Sequence, residues 1–334
     1  MYLLEYLRVI MMYRKWIDVV TAVLLSIILP GIAMNFLKPQ ENGKINGQAE
    51  TTTEEENVTK PAAMEISVLQ ENGVVINMSM DTYLTNVILC EMPVDFNDEA
   101  LKAQAVVART YALRRKTLIP KHSNAAVCTD SACCQGYLST EAFLHNGGTP
   151  EMVEKVQKAV VATDHQVLTY ENVLIDATYF SCSGGMTEDA VAVWGADVPY
   201  LRATESPGEE SAVHYADTIT FDLGEFKEKL QISSSNANAA IDEVTYTNGG
   251  GVDTIRVFGH CFKGTELRQL LGLRSTAFTI TLIGNTVAIT TKGFGHRVGM
   301  SQYGAEAMAV SGKDYTQILA HYYNGTELVS FTEG

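Results

Sequence analysis

Positive charge is in short supply in this sequence. The 334 residues carry 24 Lys and Arg against 39 Asp and Glu, a formal net charge of −15. A surface of that sign repels the phosphate backbone, which excludes non-specific nucleic-acid binding. No internal repeat is visible, so solenoids and propellers are excluded as well. The G-x-S-x-G pattern of a nucleophile elbow is missing, and the run Ser181-Cys182-Ser183 therefore gives no support to a serine hydrolase. Apolar residues are not scarce: at 46% they suffice for one large or two modest cores and exclude a disordered chain.

Charge is missing altogether from residues 19–37, VVTAVLLSIILPGIAMNFL, a stretch long enough for a helix to cross the hydrocarbon core. Arg8, Arg14 and Lys15 precede it, and the positive-inside bias then keeps residues 1–18 cytoplasmic and exports everything beyond. We read a single-pass signal anchor; the alternative is a cleaved signal peptide, because Gly31-Ile32-Ala33 resembles a small-x-small cleavage site. Residues 38–63 are almost devoid of large apolar side chains. They cannot bury enough surface to offset their ordering entropy and form a tether. The globular part spans 64–334.

An α+β fold follows from the patterning. MEISVL and VVINMSM flank Glu71-Asn72-Gly73, a hairpin signal. Asp81 is placed to cap a short helix, DTYLTNVILC, which stops at Glu91-Met92-Pro93 because the residue before proline is pushed out of helical geometry. The next helix runs over about 98–117, with Leu101, Ala105, Ala108 and Ala112 on one stripe of small residues that implies close packing. Thr149-Pro150 opens another, to about Thr163. From Gln166 the pattern turns to antiparallel strands: one hairpin over QVLTYENVLIDATYF, a second around Gly249-Gly250-Gly251 and a third around Gly284-Asn285. Helices are expected over 264–271 and, as a pair, over 301–324, with a possible subdomain at about 221–283.

Three stretches carry candidate chemistry. Glu91 stands between Cys90 and Met92-Pro93 at a helix end, where a carboxylate gains no helix-forming benefit. His122, Cys128, Cys133 and Cys134 lie within thirteen positions, and three thiolates with one imidazole suit a closed tetrahedral zinc site. A Cys128–Cys133 or Cys128–Cys134 disulfide is the alternative for an exported domain, and His145 could replace Cys133 as ligand. Cys90, Cys182 and Cys261 read as isolated small buried residues. In YFSCSGG and KGFGHRVGMSQYG, glycines let the backbone approach a ligand beside Tyr179, Ser183 and His296. Ser301, Gln302 and Tyr303 follow at a helix N-terminus, a polar rim in which Ser301 could equally serve as the cap. A plain turn is the bland alternative for YFSCSGG, and a satisfied loop residue is the alternative for His296.

Taken together, EMP with EALKAQAVVARTYA, the Cys/His cluster with QGY, then QVLTY, SGGMTE, VWG, PYL, GHRVGMSQYGAEAMA and HYYNGT resemble the stage II sporulation protein D family, collinearly over about 64–326. The resemblance implies a peptidoglycan lytic transglycosylase acting in engulfment, with Glu91 as catalytic acid and His122, Cys128, Cys133 and Cys134 as the metal site. Cys133 stands where the family pattern has histidine. Lys102 and Arg109 match family positions implicated in activity, and Tyr179, Ser183 and His296 map to segments lining the cleft. The implied partners are glycan strands, a peptidoglycan amidase and endopeptidase, and a multi-spanning membrane protein. The implied place is the mother-cell membrane, with the domain between the two membranes.

Such an enzyme works with a single carboxylate, whereas most glycosidases need two. The C6 hydroxyl of N-acetylmuramic acid closes on C1, and Glu91 would give and then take the proton. That requires a raised pKa, with Leu89, Met92 and Phe96 as the apolar setting. Lys102 and Arg109 are expected to stand back and contact the lactyl carboxylate or an N-acetyl group. The rival readings are a non-catalytic glycan-binding or amidase-enhancing module, a hydrolase using Asp95, Asp98, Glu99 or Glu188 as second carboxylate, and a membrane scaffold.

Overall fold

The computed structural model describes residues 64–233 and 241–332. The expected cytoplasmic segment, anchor and tether over 1–63 lie outside them. Among the described residues no helix is long and apolar enough to cross a membrane.

The fold is α+β with mainly antiparallel sheets. Strands β1 (Glu65–Leu69) and β2 (Val75–Ser79) form the first hairpin, and β3 (Val127–Cys128) joins β1 in parallel. Helix α1 (Met80–Glu91) follows β2 without a loop. Its N-cap is Ser79, whose side chain accepts from Thr82 N–H, and not Asp81 as expected. Asp81 lies in the first turn instead, where its charge favours the helix dipole.

Helix α2 (Asp98–Thr117) is the axis of the main core. Leu101, Ala105, Ala108 and Ala112 are all fully buried, and so are the residues between them from Ala103 to Ala108. Small side chains on every face let α4 (Pro150–Ala162), α8 (Gln302–Val310), α9 (Tyr315–Tyr322) and strand β4 (Gln166–Tyr170) pack around this one helix. The short α3 (Thr140–His145) packs on α1. Strand β5 (Val173–Leu174) returns against β4 through Glu171 and Asn172, both at positive φ, as a two-residue hairpin turn demands. The expected hairpin ends there, because β6 (Tyr179–Phe180) pairs instead in parallel with β13 (Met300–Ser301). That pairing brings YFSCSGG and GHRVGMSQYG side by side.

A second hydrophobic core occupies the region read as a possible subdomain, and it reaches from Ile219 to Ile289. Strand β12 (Thr286–Lys292) lies between β11 (Phe278–Ile283) and β7 (Ala216–Asp222), so the unit extends past both sequence-derived limits. Strands β8 (Ile241–Tyr246), β9 (Val252–Val257) and β10 (His260–Lys263), with α6 (Leu223–Lys229) and α7 (Gly264–Leu271), complete it.

Candidate active site

Glu91 is the last residue of α1, and the helix ends there because Met92 takes the extended conformation that Pro93 imposes. Met92, Leu89 and Phe96 are all buried beneath it. The carboxyl opens into a cleft of about 410 Å³ lined by residues from α1, the Ser131–Gln135 loop, β6 with its flanks, and the Phe294–His296 loop. Burial raises the Glu91 pKa above the ordinary carboxylate value, partly offset by hydrogen bonds from Gly136 N–H and the Tyr179 hydroxyl. Its position at the C-terminal, negative end of α1 works in the same direction as burial.

The partners of Glu91 form a directed chain. Gly136 N–H donates to Glu91 Oε1 at 2.5 Å. Tyr83 O–H donates to Gln135 Oε1 at 3.1 Å, and Gln135 Nε2 donates to Tyr179 Oη at 3.0 Å. With its oxygen already accepting from Gln135, the Tyr179 hydroxyl is free to turn its proton to Glu91. Gly136 is required by space: a Cβ there would stand 2.8 Å from Glu91 Oε1 and 3.0 Å from Cys90 Sγ.

Other carboxylates raised as possible second acids stand elsewhere. Among the described residues lining the cleft, Glu91 is the one carboxylate. Asp95 is exposed, Asp98 faces Lys155, and Glu99 bonds Lys102 and the Tyr315 N–H. Glu188 is 1% exposed and bonded to Thr247 and Gly249, with Arg297 beside it.

His296 lines the cleft between the rings of Phe180 and Trp194, with centroids at 5.6 Å and 5.2 Å. Burial and the nearby Arg268 charge lower its pKa to about 4, so the imidazole is neutral at ordinary pH. Its Nδ1 accepts from Val298 N–H, which fixes the tautomer with the proton on Nε2. Trp194, the last residue of α5 (Ala190–Trp194), is 46% exposed and Phe294 40% exposed, and Phe294 lines the cleft, so the rim is aromatic.

Several residues singled out as substrate contacts are placed otherwise. Arg109 is fully buried, and its guanidinium donates to the carbonyls of Val160, Thr163 and Gln166 at 3.1, 2.7 and 3.3 Å. It caps the C-terminal end of α4 and stands in the core, where no sugar can reach it. Lys102 pairs with Glu99 at 2.6 Å and lies over the Tyr315 ring, outside the cleft lining. Ser183 bonds Glu209 through both its N–H and its hydroxyl, at 2.7 and 2.9 Å, and Ser181 is the serine of that loop which lines the cleft. Ser301 caps α8, Gln302 is 4% exposed, and Tyr303 packs edge-on to Phe96. These three hold the β6–β13 junction and are not among the lining residues.

Residues that sequence reasoning did not single out include Gln135, Gly136, Ser181, Trp194 and Phe294, along with Glu209. The first two stand directly after Cys134, and Trp194 is one of only two tryptophans in the chain, which were the available signals. Of the isolated cysteines, Cys182 is buried with Sγ–H donating to Glu209, whereas Cys90 and Cys261 are exposed, the latter on the edge strand β10.

The Cys/His cluster is assembled. Ligand atoms of His122, Cys128, Cys133 and Cys134 all lie within 4.8 Å of one another. His122 Nε2 is 3.5 Å from Cys134 Sγ and 3.8 Å from Cys133 Sγ, and the Cys133 and Cys134 sulfurs are 4.0 Å apart. Zn–S bonds of about 2.3 Å and a Zn–N bond of about 2.0 Å give tetrahedral edges of about 3.8 Å and 3.5 Å. The residues fit a closed four-ligand metal site. All six cysteines are free, so neither alternative disulfide is present, and His145 is not in the group.

A family model described as SpoIID: Stage II sporulation protein matches residues 69–170. A stage II sporulation protein D from Bacillus amyloliquefaciens is 38% identical over 284 residues, covering 84% of this chain and 81% of its own. The chain belongs to the stage II sporulation protein D family. Its relatives include the stage II sporulation protein D of Bacillus subtilis (strain 168), 37% identical over 290 residues, 81% of this chain and 83% of that one. An amidase enhancer from Bacillus subtilis (strain 168) is 31% identical over 303 residues, 74% of this chain and 40% of the relative. The family match covers α1, α2 and the Cys/His cluster, and so includes Glu91 and its Gly136 contact.

Proposed function

We propose that this protein is a peptidoglycan lytic transglycosylase that cleaves the β-1,4 bond between N-acetylmuramic acid and N-acetylglucosamine in stem-free glycan. The observation that carries the reading is a cleft whose described lining holds one carboxylate, with its pKa raised by burial. A two-carboxylate hydrolysis has no second acid among the described residues of that lining. Glu91 donates its proton to the bridging oxygen as the bond to C1 breaks. The resulting carboxylate, held by Gly136 N–H and the Tyr179 hydroxyl, then takes the proton of the C6 hydroxyl as that oxygen closes on C1. Water is not consumed, and the product is a 1,6-anhydro sugar. The aromatic rim of Trp194 and Phe294 offers apolar faces suited to pyranose rings, and neutral His296 holds the wall without competing for the proton.

Zinc is the metal whose chemistry suits the Cys/His cluster, where it would be structural because all four positions are protein ligands. The residues at 19–37 anchor the protein in the mother-cell membrane, and the globular part works in the intermembrane space during engulfment. An amidase and endopeptidase that strips stem peptides, and a multi-spanning membrane protein, are its partners there.

The similarity to an amidase enhancer supports a second reading, a non-catalytic glycan-binding module. Mass spectrometry of stem-free glycan strands incubated with wild type and Glu91→Gln separates the two. Anhydromuramyl products from wild type, reduced at least about a hundredfold in the variant, are expected. Binding without cleavage by either protein moves the conclusion to the binding module, and reducing-end products move it to a hydrolase.

A further inference from the structure

Cys134, Gln135 and Gly136 are consecutive, and their roles differ. Cys134 completes the Cys/His cluster, Gln135 orients the Tyr179 hydroxyl, and Gly136 donates to Glu91. After Gly136 the chain is fastened to α1 by Leu138 N–H donating to Asn86 O at 3.0 Å. Before Gln135 the fastening is weaker. Cys133 and Cys134 N–H groups both donate to Asp130 O, which closes a turn within the same loop and ties it to nothing outside, and Lys121 Nζ reaches Cys133 O from an exposed position. Outside the loop this end is held through the Cys134 side chain, which interacts with the Tyr111 hydroxyl of α2 and packs on the main core, and through the cluster, which joins the loop to His122 and, by way of Cys128, to β3 and the β1 sheet.

We infer that the metal cluster positions the catalytic acid: the metal holds Cys134, and Cys134 sets Gln135 and Gly136 against Tyr179 and Glu91. Gln135 and Gly136 are positioning residues, and the metal acts on the reaction as well as on folding. The functional weight of this link rests on the proposed role of Glu91, whereas the link itself is mechanical. Linkage makes it reciprocal, so removing the Glu91 carboxylate must weaken metal binding by the factor that metal removal weakens the Glu91 contact.

The test uses the detergent-solubilised full chain loaded with Zn²⁺. Metal affinity is measured by chelator competition for wild type, Glu91→Ala and Lys102→Ala, and the Gly136 amide is followed by NMR and hydrogen exchange before and after chelation. Glu91→Ala is expected to bind Zn²⁺ about tenfold more weakly, in line with the effect of partners around metal ligands, with Lys102→Ala unchanged. Chelation is expected to remove the exchange protection of Gly136 while amides in the middle of α2 keep theirs. Equal affinities in all three proteins, or a Gly136 amide indifferent to metal, overturn the inference. If chelation unfolds the whole domain, the affinity comparison on folded, loaded protein still decides. A measured link in a protein that forms no anhydro product leaves the coupling standing and overturns only the transglycosylase reading.

Discussion

In the proposed mechanism Glu91 gives up a proton and then accepts one, and its surroundings are divided between the two states. Burial favours the acid, and two hydrogen-bond donors favour the carboxylate. Burial is the larger effect, so the folded-state pKa lies above that of the unfolded chain. The contribution of Glu91 to stability is therefore full below the unfolded value of about 4.3 and lost as pH rises through the folded value. Glu91→Gln, which cannot ionise, should melt at a higher temperature than wild type at pH 8, with the gap closing toward about pH 4. A variant less stable than wild type at pH 8 would mean that the two donors outweigh burial. In the proposed mechanism activity runs in the same direction, since there the group enters the reaction protonated. Wild-type turnover falls on the alkaline side of the Glu91 pKa, and that limb is absent from whatever residual rate the glutamine variant retains.

At the scale of elements, the same side-chain type serves unlike ends. Arg109 and Lys102 share the helix α2, yet one closes the end of α4 inside the core and the other pairs at the surface. Arg109→Ala should cost about 3 kcal/mol in urea unfolding by stranding the α4 and β4 carbonyls. Lys102→Ala should stay within about 1 kcal/mol and leave product formation unchanged. The sequence made α2 legible through its length and its stripe of small residues, but a helix buried over most of its surface has too narrow a polar face to guide the reading. Periodicity then cannot say where a charged side chain goes, and the structure places Arg109 in the core and Lys102 outside the cleft lining. Glu91, the Cys/His cluster and the three turn-marked hairpins carried local signals and were read from them. Ser181, Trp194 and Phe294 were not, because their meeting depends on the parallel β6–β13 pair, which joins segments far apart in sequence. Ser183 was preferred to Ser181 since nothing local announces Glu209, the buried carboxylate that claims it.

For the whole molecule, the two cores meet at a charged clasp. Arg297, at φ +66 and 2% exposed, donates to the carbonyls of Ser183, Met186 and Gly249, and Glu188 receives Thr247 and Gly249 from the second core's β8–β9 turn. The backbone strain at Arg297 is held by those bonds. The chain enters and leaves the second core at one point, for Ala216 pairs with Lys292 and Gly293 N–H donates to Tyr215 O at 2.9 Å. The described residues between 216 and 292 thus form a unit whose two ends touch, set within the body that carries the candidate site. Joining Tyr215 to Gly293 through a short glycine linker closes the backbone of the body, but it takes Arg274 from Gly295 and strips Glu188 and Arg297 of Thr247 and Gly249. The shortened protein should fold well only when both positions are also made apolar, since a buried ion pair robbed of its neighbours is worse than none. The clasp is then a lock that neither part can close without the other.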